Sequence, residues 1–410
     1  MPNLPIRPAD GVAASALKPV RLSTAVWALG LTSLFMDISS EMIHSLLPVF
    51  LVVGLGTSAA YLGLIEGVAE ATACIVKVFS GALSDYFGRR KPLALLGYGM
   101  AALTKPLFPL ASSAGMVFLA RFIDRLGKGV RGAPRDALVA DVTPPEQRGA
   151  AFGLRQSLDT VGAFAGPVFA ILLAAAFSGA LRTVMWIAVL PAFISVVVLW
   201  VGVREPAQQG QRKKRSVDLR VRSMPRSFWI VCAVASVFML SRFSEAFLLL
   251  VGIHGGLTPA LTPLVLVAMN LAYLLSAYPV GKLSDRMPKQ NLLVVGCGVL
   301  AVANGVLAIA SNPVLLIVGA LLWGLHMGLT EGIFAAMVAN SAPKDLRGSA
   351  FGIFNMLRGL VLLAASVFAG FLWDQVGPQA TFGLASVLAI ITVVAVWLSR
   401  HYWQRAAAVA

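Results

Sequence analysis

The sequence predicts an all-α membrane protein of twelve transmembrane helices, arranged as two pseudo-symmetric six-helix bundles. Three observations predict it. Hydrophobic residues make up 58% of the 410 residues and charged residues only 12%, about half the charge that a soluble chain of this size carries. The apolar residues fall into runs of about 20, the length that crosses a bilayer. Short sequences from the first half recur in the second, about 200 residues later.

The same composition excludes disordered, collagenous and disulfide-scaffold classes. The net charge of +15 would suggest nucleic acid in a soluble protein. In a membrane protein it marks cytoplasmic loops, so no nucleic-acid partner is expected. Cys74, Cys232 and Cys297 all fall inside apolar runs. Three cysteines so placed make neither a disulfide framework nor a zinc site. The four histidines lack metal-ligand spacing, so no metal and no cofactor is expected.

Taken in order, residues 1–20 contain prolines and no long apolar run, and read as a cytosolic tail. They are not a signal peptide, because the small residues at 13–16 precede the first apolar run instead of following it. Residues 21–203 form the first bundle, with segments at 22–53, 58–84, 92–110, 114–138, 148–177 and 182–203. Turns such as Gly54-Leu55-Gly56-Thr57 separate them. Residues 204–226 are polar, hold eight Lys and Arg, and read as a cytoplasmic linker. Residues 227–400 form the second bundle, with segments at 227–252, 260–284, 291–311, 313–341, 347–373 and 378–400. Residues 401–410 are a second cytosolic tail.

Lys and Arg set the orientation. They gather in the even-numbered loops, as in Arg89, Arg90 and Lys91, or Arg131, Arg135 and Arg148, or Lys282, Arg286 and Lys289. The odd-numbered loops hold only Arg182. The bias places both termini in the cytoplasm of a multi-pass protein of the cell (inner) membrane.

The repeat is specific. Gly81-x-Leu83-Ser84-Asp85 recurs as Gly281-x-Leu283-Ser284-Asp285. Arg148-Gly149-Ala150-Ala151-Phe152-Gly153 recurs as Arg347-Gly348-Ser349-Ala350-Phe351-Gly352. Phe35-Met36 with Glu41 recurs as Phe238-Met239 with Glu245. Parallel six-helix halves with a site between them are a transporter architecture.

Three motifs carry a resemblance. The loop after segment 2 reads Gly81-x-Leu83-Ser84-Asp85-x-x-Gly88-Arg89-Arg90, and its second copy keeps Asp285. Segment 4 contains Arg125-x-x-Lys128-Gly129. Segment 5 contains Gly162-x-x-x-Gly166-Pro167. From about 22 to 400 the chain resembles the major facilitator superfamily of secondary transporters, in particular bacterial drug/proton antiporters. The resemblance implies that segments 1, 4, 7 and 10 line a central cavity that opens alternately to each side. It implies that Asp85 latches the start of segment 11, and that the segment 5 glycines go with antiport and efflux. It implies a small-molecule substrate, protons and the lipid bilayer as partners, in a monomer.

Charges at membrane depth cost about 2.5–3.5 kcal/mol each, so they must face one another or water. Asp37, Glu41, Arg121, Arg125, Arg242, Glu245 and Glu331 fall on the cavity-lining segments and are the site candidates. Glu66, Glu70 and Lys77 on segment 2 are secondary ones. Arg155 with Asp159, and Asp124 with Lys128, are four apart and read as local structural pairs. His44 and His326 read as packing or hydrogen-bonding residues. The acids of segments 1 and 2 would suit a cation, and the basic face of segment 4 an anion. The leading reading is proton-coupled export of a small organic or cationic compound. Uptake of a nutrient or metal complex, and a non-transporting sensor or scaffold, are the alternatives. No nucleophile–base set or phosphate loop points to an enzyme.

Overall fold

The computed structural model describes residues 22–87, 89–204, 221–284, 287–343 and 346–409. The expected N-terminal tail, most of the linker, Gly88, Asp285 and the side chain of Asp85 lie outside the described residues, as do the side chains at 400–409. All described elements are helical. In a bilayer this satisfies the backbone amides and carbonyls of the helix interiors without water.

Helix α1 (Thr24–His44) starts where Ser23 turns extended (φ −65°, ψ 153°) and its hydroxyl accepts the Val26 amide at 3.4 Å, a side-chain N-cap. It breaks after His44 because Pro48 has no amide to donate and its ring crowds the carbonyl four residues back. The chain resumes as Leu47–Val49 and a wide turn, Phe50–Gly54. Helix α2 (Ala59–Phe87) follows. Helix α3 (Arg90–Thr104) is broken in the same way at Lys105-Pro106 and resumes as Leu107–Leu110. Helix α4 (Ala114–Asp141) is capped by Ser113, and α5 (Arg148–Ala176) and α6 (Leu181–Gly202) complete the first half.

The second half holds α7 (Arg226–Leu240, resuming as Ala246–His254), α8 (Leu264–Ser284), α9 (Lys289–Ala308), α10 (Pro313–Ser341), α11 (Arg347–Gln375) and α12 (Pro378–Val409). Asn312 caps α10, accepting the Leu315 amide at 3.0 Å, with Pro313 at the first helical position, where its missing donor is harmless. Nine helices among the described residues are long and apolar enough to cross a membrane. The other three are α2 and α4, which carry buried charges, and α7, which its break cuts short.

Packing repeats between the halves. In the first, α1 packs on α5 and α6, α2 on α4, and α3 on α4 and α6. In the second, α7 packs on α11 and α12, α8 on α10, and α9 on α10 and α12. Each pairing recurs six helices later. The halves meet along α2 with α11 and along α5 with α8, two seams that the same pseudo-symmetry exchanges.

The α2–α11 seam is backbone against backbone. A Cβ on Gly63 would stand 2.2 Å from the Ser366 carbonyl oxygen, one on Gly67 3.0 Å from Leu363 Cα, and one on Gly370 2.4 Å from the Ala59 carbonyl oxygen. Small residues permit this approach. At its odd-loop end, Asp374 of α11 accepts the amides of Ala59 and Ala60 at 2.9 and 2.8 Å, capping the start of α2. Across the α5–α8 seam Asn270 Nδ2 donates to the Ala163 carbonyl at 3.2 Å. Large apolar side chains such as Leu103, Trp200, Leu275 and Trp397 stand exposed on the outside, as a lipid-facing surface requires.

Candidate functional site

A cavity of about 350 Å³ lies between the halves. Its wall takes Glu41 and His44 from α1, Glu66 and Glu70 from α2, Arg125 and Lys128 from α4, and the residues 242–245 around the α7 break. It also takes Thr330, Glu331 and Phe334 from α10 and Phe351, Phe354, Asn355 and Arg358 from α11. The α10 and α11 residues occupy the portions of those helices nearest the even-numbered loops, and the α4 residues the middle of theirs. At the opposite end, Leu47–Val49 packs against Ala246–His254. The cavity therefore faces the even-loop side and is closed on the odd-loop side.

The α7 break builds one wall. Ser241 turns its hydroxyl back to the Phe238 carbonyl (2.6 Å), and its own carbonyl accepts from Asn304 Nδ2 (3.3 Å). The Ser244 amide donates to Ser366 Oγ at 3.2 Å. With these groups satisfied by side chains, the chain delivers Arg242 and Glu245 into the cavity. Arg242 Nη2 reaches Glu331 Oε1 at 2.9 Å and Glu245 Oε1 at 3.6 Å.

The facing wall is a chain of charges. Arg121 holds Glu66 with two bonds, Nε to Oε1 at 3.0 Å and Nη2 to Oε2 at 2.8 Å, and both side chains are almost fully buried. This is the fork geometry that guanidinium offers a carboxylate. His44 stands between two acids, Nδ1 at 3.4 Å from Glu41 Oε2 and Nε2 at 3.5 Å from Glu66 Oε2. Arg125 Nη1 meets Glu70 Oε1 at 3.0 Å. Behind them Lys105 Nζ donates to Asp124 Oδ1 and to Ser40 Oγ, each at 2.9 Å.

The cavity thus brings together Glu41, Glu66, Glu70, Arg125, Arg242, Glu245 and Glu331. Arg121 sits one layer behind, acting through Glu66. Asp37 and Lys77 are not among the lining residues. Asp37 lies beside Gly162, and the Lys77 stem lies beside Gly132. The segment 5 glycines press on the α1 acids. A Cβ on Gly162 would stand 3.0 Å from Asp37 Cβ, and one on Gly166 only 2.6 Å from Glu41 Cβ. Pro167 is buried beside them. In the loop motif, Gly81 faces Ala133 of α4, Arg89 precedes α3, and Arg90 Nη1 lies 3.3 Å from Asp141 Oδ2.

Arg155 and Asp159 pair as their spacing predicts, at 2.5 Å, within a cluster that includes Arg135 and Asp136. The expected Asp124–Lys128 pair is not formed. The α3 break turns Lys105 inward, and a buried ammonium takes the nearest carboxylate because leaving it unpaired is far costlier than losing a local helix pair. Lys128 is left facing the cavity. His326 packs among rings, edge-on to Trp323 at 5.4 Å. His44 is hydrogen-bonded to Glu41, one helical turn away, in line with its reading as a packing or hydrogen-bonding residue. Lys105 escaped sequence reading, and only the Pro106 break pointed to it.

Helix bundles that enclose a charged cavity at membrane depth define a multi-pass membrane transporter. The family model for the Major Facilitator Superfamily matches residues 29–366 and 246–407. An uncharacterized MFS-type transporter of Methanocaldococcus jannaschii is 30% identical over 377 residues, covering 90% of this chain and 94% of that one. The multidrug resistance protein MdtH of Photorhabdus laumondii is 26% identical over 376 residues, covering 88% and 90%. The crystal structure of the nucleoside transporter NupG superposes with a TM-score of 0.78 at 13% identity, covering 91% of this chain and 99% of that one. A peptide transporter POT in complex with sulfate gives 0.78 at 13% identity, covering 93% and 95%. The chain belongs to the major facilitator superfamily, and it is a transporter, not an enzyme.

Proposed function

We propose that this chain is a proton-coupled antiporter of the inner membrane that exports a small organic compound by alternating access. Residues 21–203 and 227–400 are the two moving halves, 204–226 is the cytoplasmic linker, and both termini are cytoplasmic. The observation that carries the reading is the line Glu41–His44–Glu66–Arg121. Glu41 is 23% exposed to the cavity, whereas Glu66 is 1% exposed. A proton from cavity water reaches Glu41 first, and His44 can pass it inward, since imidazole accepts on one nitrogen while donating from the other. Glu66 stays charged against the Arg121 guanidinium and holds the imidazole in place.

Coupling follows from what the proton changes. Neutral Glu41 loses its attraction to His44, while α1 stays packed on α5 at Gly162 and Gly166. That favours one relative position of the halves over the other. Loading the cavity with cargo favours the opposite position, so the two occupants exchange across the membrane. Export is supported by the relatives named for multidrug resistance and by the cavity facing the even loops, where Lys and Arg concentrate.

The test is a growth screen of overexpressing cells against antibiotics, organic acids, amines and metal salts, with and without an uncoupler. Protection that the uncoupler abolishes, and that Glu41→Gln abolishes, is the expected result. Sensitisation of the cells, or protection indifferent to both, refutes it.

A further inference from the structure

Resting on that reading of the cavity as the transport site, the charge pairing in its wall says what it carries. Four carboxylates at this level are already held: Glu66 by Arg121, Glu70 by Arg125, Glu331 by Arg242 and Asp124 by Lys105. Glu245 shares Arg242, and Glu41 has His44. On the cationic side the pairing is incomplete. Lys128 and Arg358 both line the cavity, and among the described residues neither has a carboxylate within salt-bridge distance.

The two cations share one level. Gly129, next to Lys128, is pressed on α2 at Ala73 and Val76. Gly359, next to Arg358, is pressed on α2 at Ala71 and Cys74. Helices α4 and α11 thus dock on neighbouring turns of the same helix from opposite halves. Their preceding residues both line the cavity. Phe334, Phe351 and Phe354 line the same wall, together with Glu331 and Asn355.

We propose that the cargo is an amphipathic organic anion, an apolar one- or two-ring body bearing a carboxylate, whose charged group lies between Lys128 and Arg358. Arg358 offers a carboxylate its planar fork, and Lys128 a point charge. The phenylalanines cover the body. A cation finds no equivalent place, because each cavity carboxylate already faces a basic side chain of the wall: a guanidinium at Glu66, Glu70, Glu245 and Glu331, and the His44 imidazole at Glu41. The volume of about 350 Å³, at about 30 Å³ per water, holds on the order of ten waters and fits a body of that size. Because the two cations belong to opposite halves, the anion also joins those halves around itself.

The test uses the purified full-length protein in detergent, without a gradient, so it is independent of proton coupling. The probes are benzoate, 1-naphthoate, 1-naphthamide and 1-naphthylmethylammonium, followed by thermal shift and equilibrium binding. The carboxylates bind and raise the melting temperature, whereas the amide and the ammonium do not. Lys128→Gln and Arg358→Gln each weaken 1-naphthoate by about tenfold or more. Lys128→Arg retains binding, which separates loss of charge from loss of fold. The proposal is overturned if the ammonium binds as well as the carboxylates, if neither carboxylate binds, or if both glutamine variants bind 1-naphthoate like the parent. If a glutamine variant does not fold, unchanged binding in Lys128→Arg together with binding of the amide overturns it equally.

Discussion

Replacing Asp374 with alanine will open the odd-loop side of the transporter. Asp374 accepts the amides of Ala59 and Ala60 at 2.9 and 2.8 Å, tying the end of α11 to the start of α2 across the two halves. Both amides are among those a helix start leaves without a partner. Charge-assisted bonds of this length would be strong if buried, but Asp374 is exposed, and water screens it. The measured range for removing a helix N-cap, about 0.5–2 kcal/mol, is therefore the applicable one. At about 1–2 kcal/mol the balance between closed and open shifts by roughly 5–30-fold. Leu250 is buried at the closed end, so a single cysteine there, with Cys74, Cys232 and Cys297 changed to serine, reports the opening. The rate of its reaction with a membrane-impermeant maleimide rises 5–30-fold in Asp374→Ala and less in Asp374→Asn. An unchanged rate in a folded Asp374→Ala protein would refute the latch.

Three further outcomes follow from the same geometry. Gly166→Ala puts a methyl 2.6 Å from Glu41 Cβ, costs about 1–3 kcal/mol of overpacking and impairs proton coupling, whereas Gly153→Ala, with nothing within 4 Å, does neither; melting curves and vesicle proton uptake check both. Arg121→Met strands Glu66 in the interior and costs about 3–5 kcal/mol, most of which the double variant with Glu66→Met recovers, as thermal unfolding in detergent will measure. Ser366→Ala removes the acceptor for the Ser244 amide at the α7 break; it costs about 0.5–1.5 kcal/mol and speeds hydrogen exchange at that amide.

Helix spans, the internal repeat and the family were legible because each rests on a local or periodic signal. The segment 5 glycines were legible as a motif, although their target, the Asp37 and Glu41 side of α1, was not. The α7 break was invisible, and 227–252 reads as one segment, since Ser241-Arg242-Phe243-Ser244-Glu245 contains neither proline nor glycine. The interruption is sustained by Asn304 and Ser366, which lie far along the chain. Pairing was illegible for a related reason. A spacing of four names a neighbour on the same helix, so it gave Asp124 to Lys128. It could not know that Pro106 would swing Lys105 against Asp124 from the next helix. Asp374, an exposed acid near a helix end, carries no pattern at all.

The glycine-lined meeting of α2 and α11 has a consequence for the cost of each cycle. Interlocked side chains would have to be lifted out of their sockets whenever one half rolled on the other. Here main chain lies close against main chain, a smooth rail along which a carriage could run. In the proposed cycle little resistance accumulates along the track, and the work of switching concentrates at the odd-loop terminus, where the bonds of Asp374 let go and catch again.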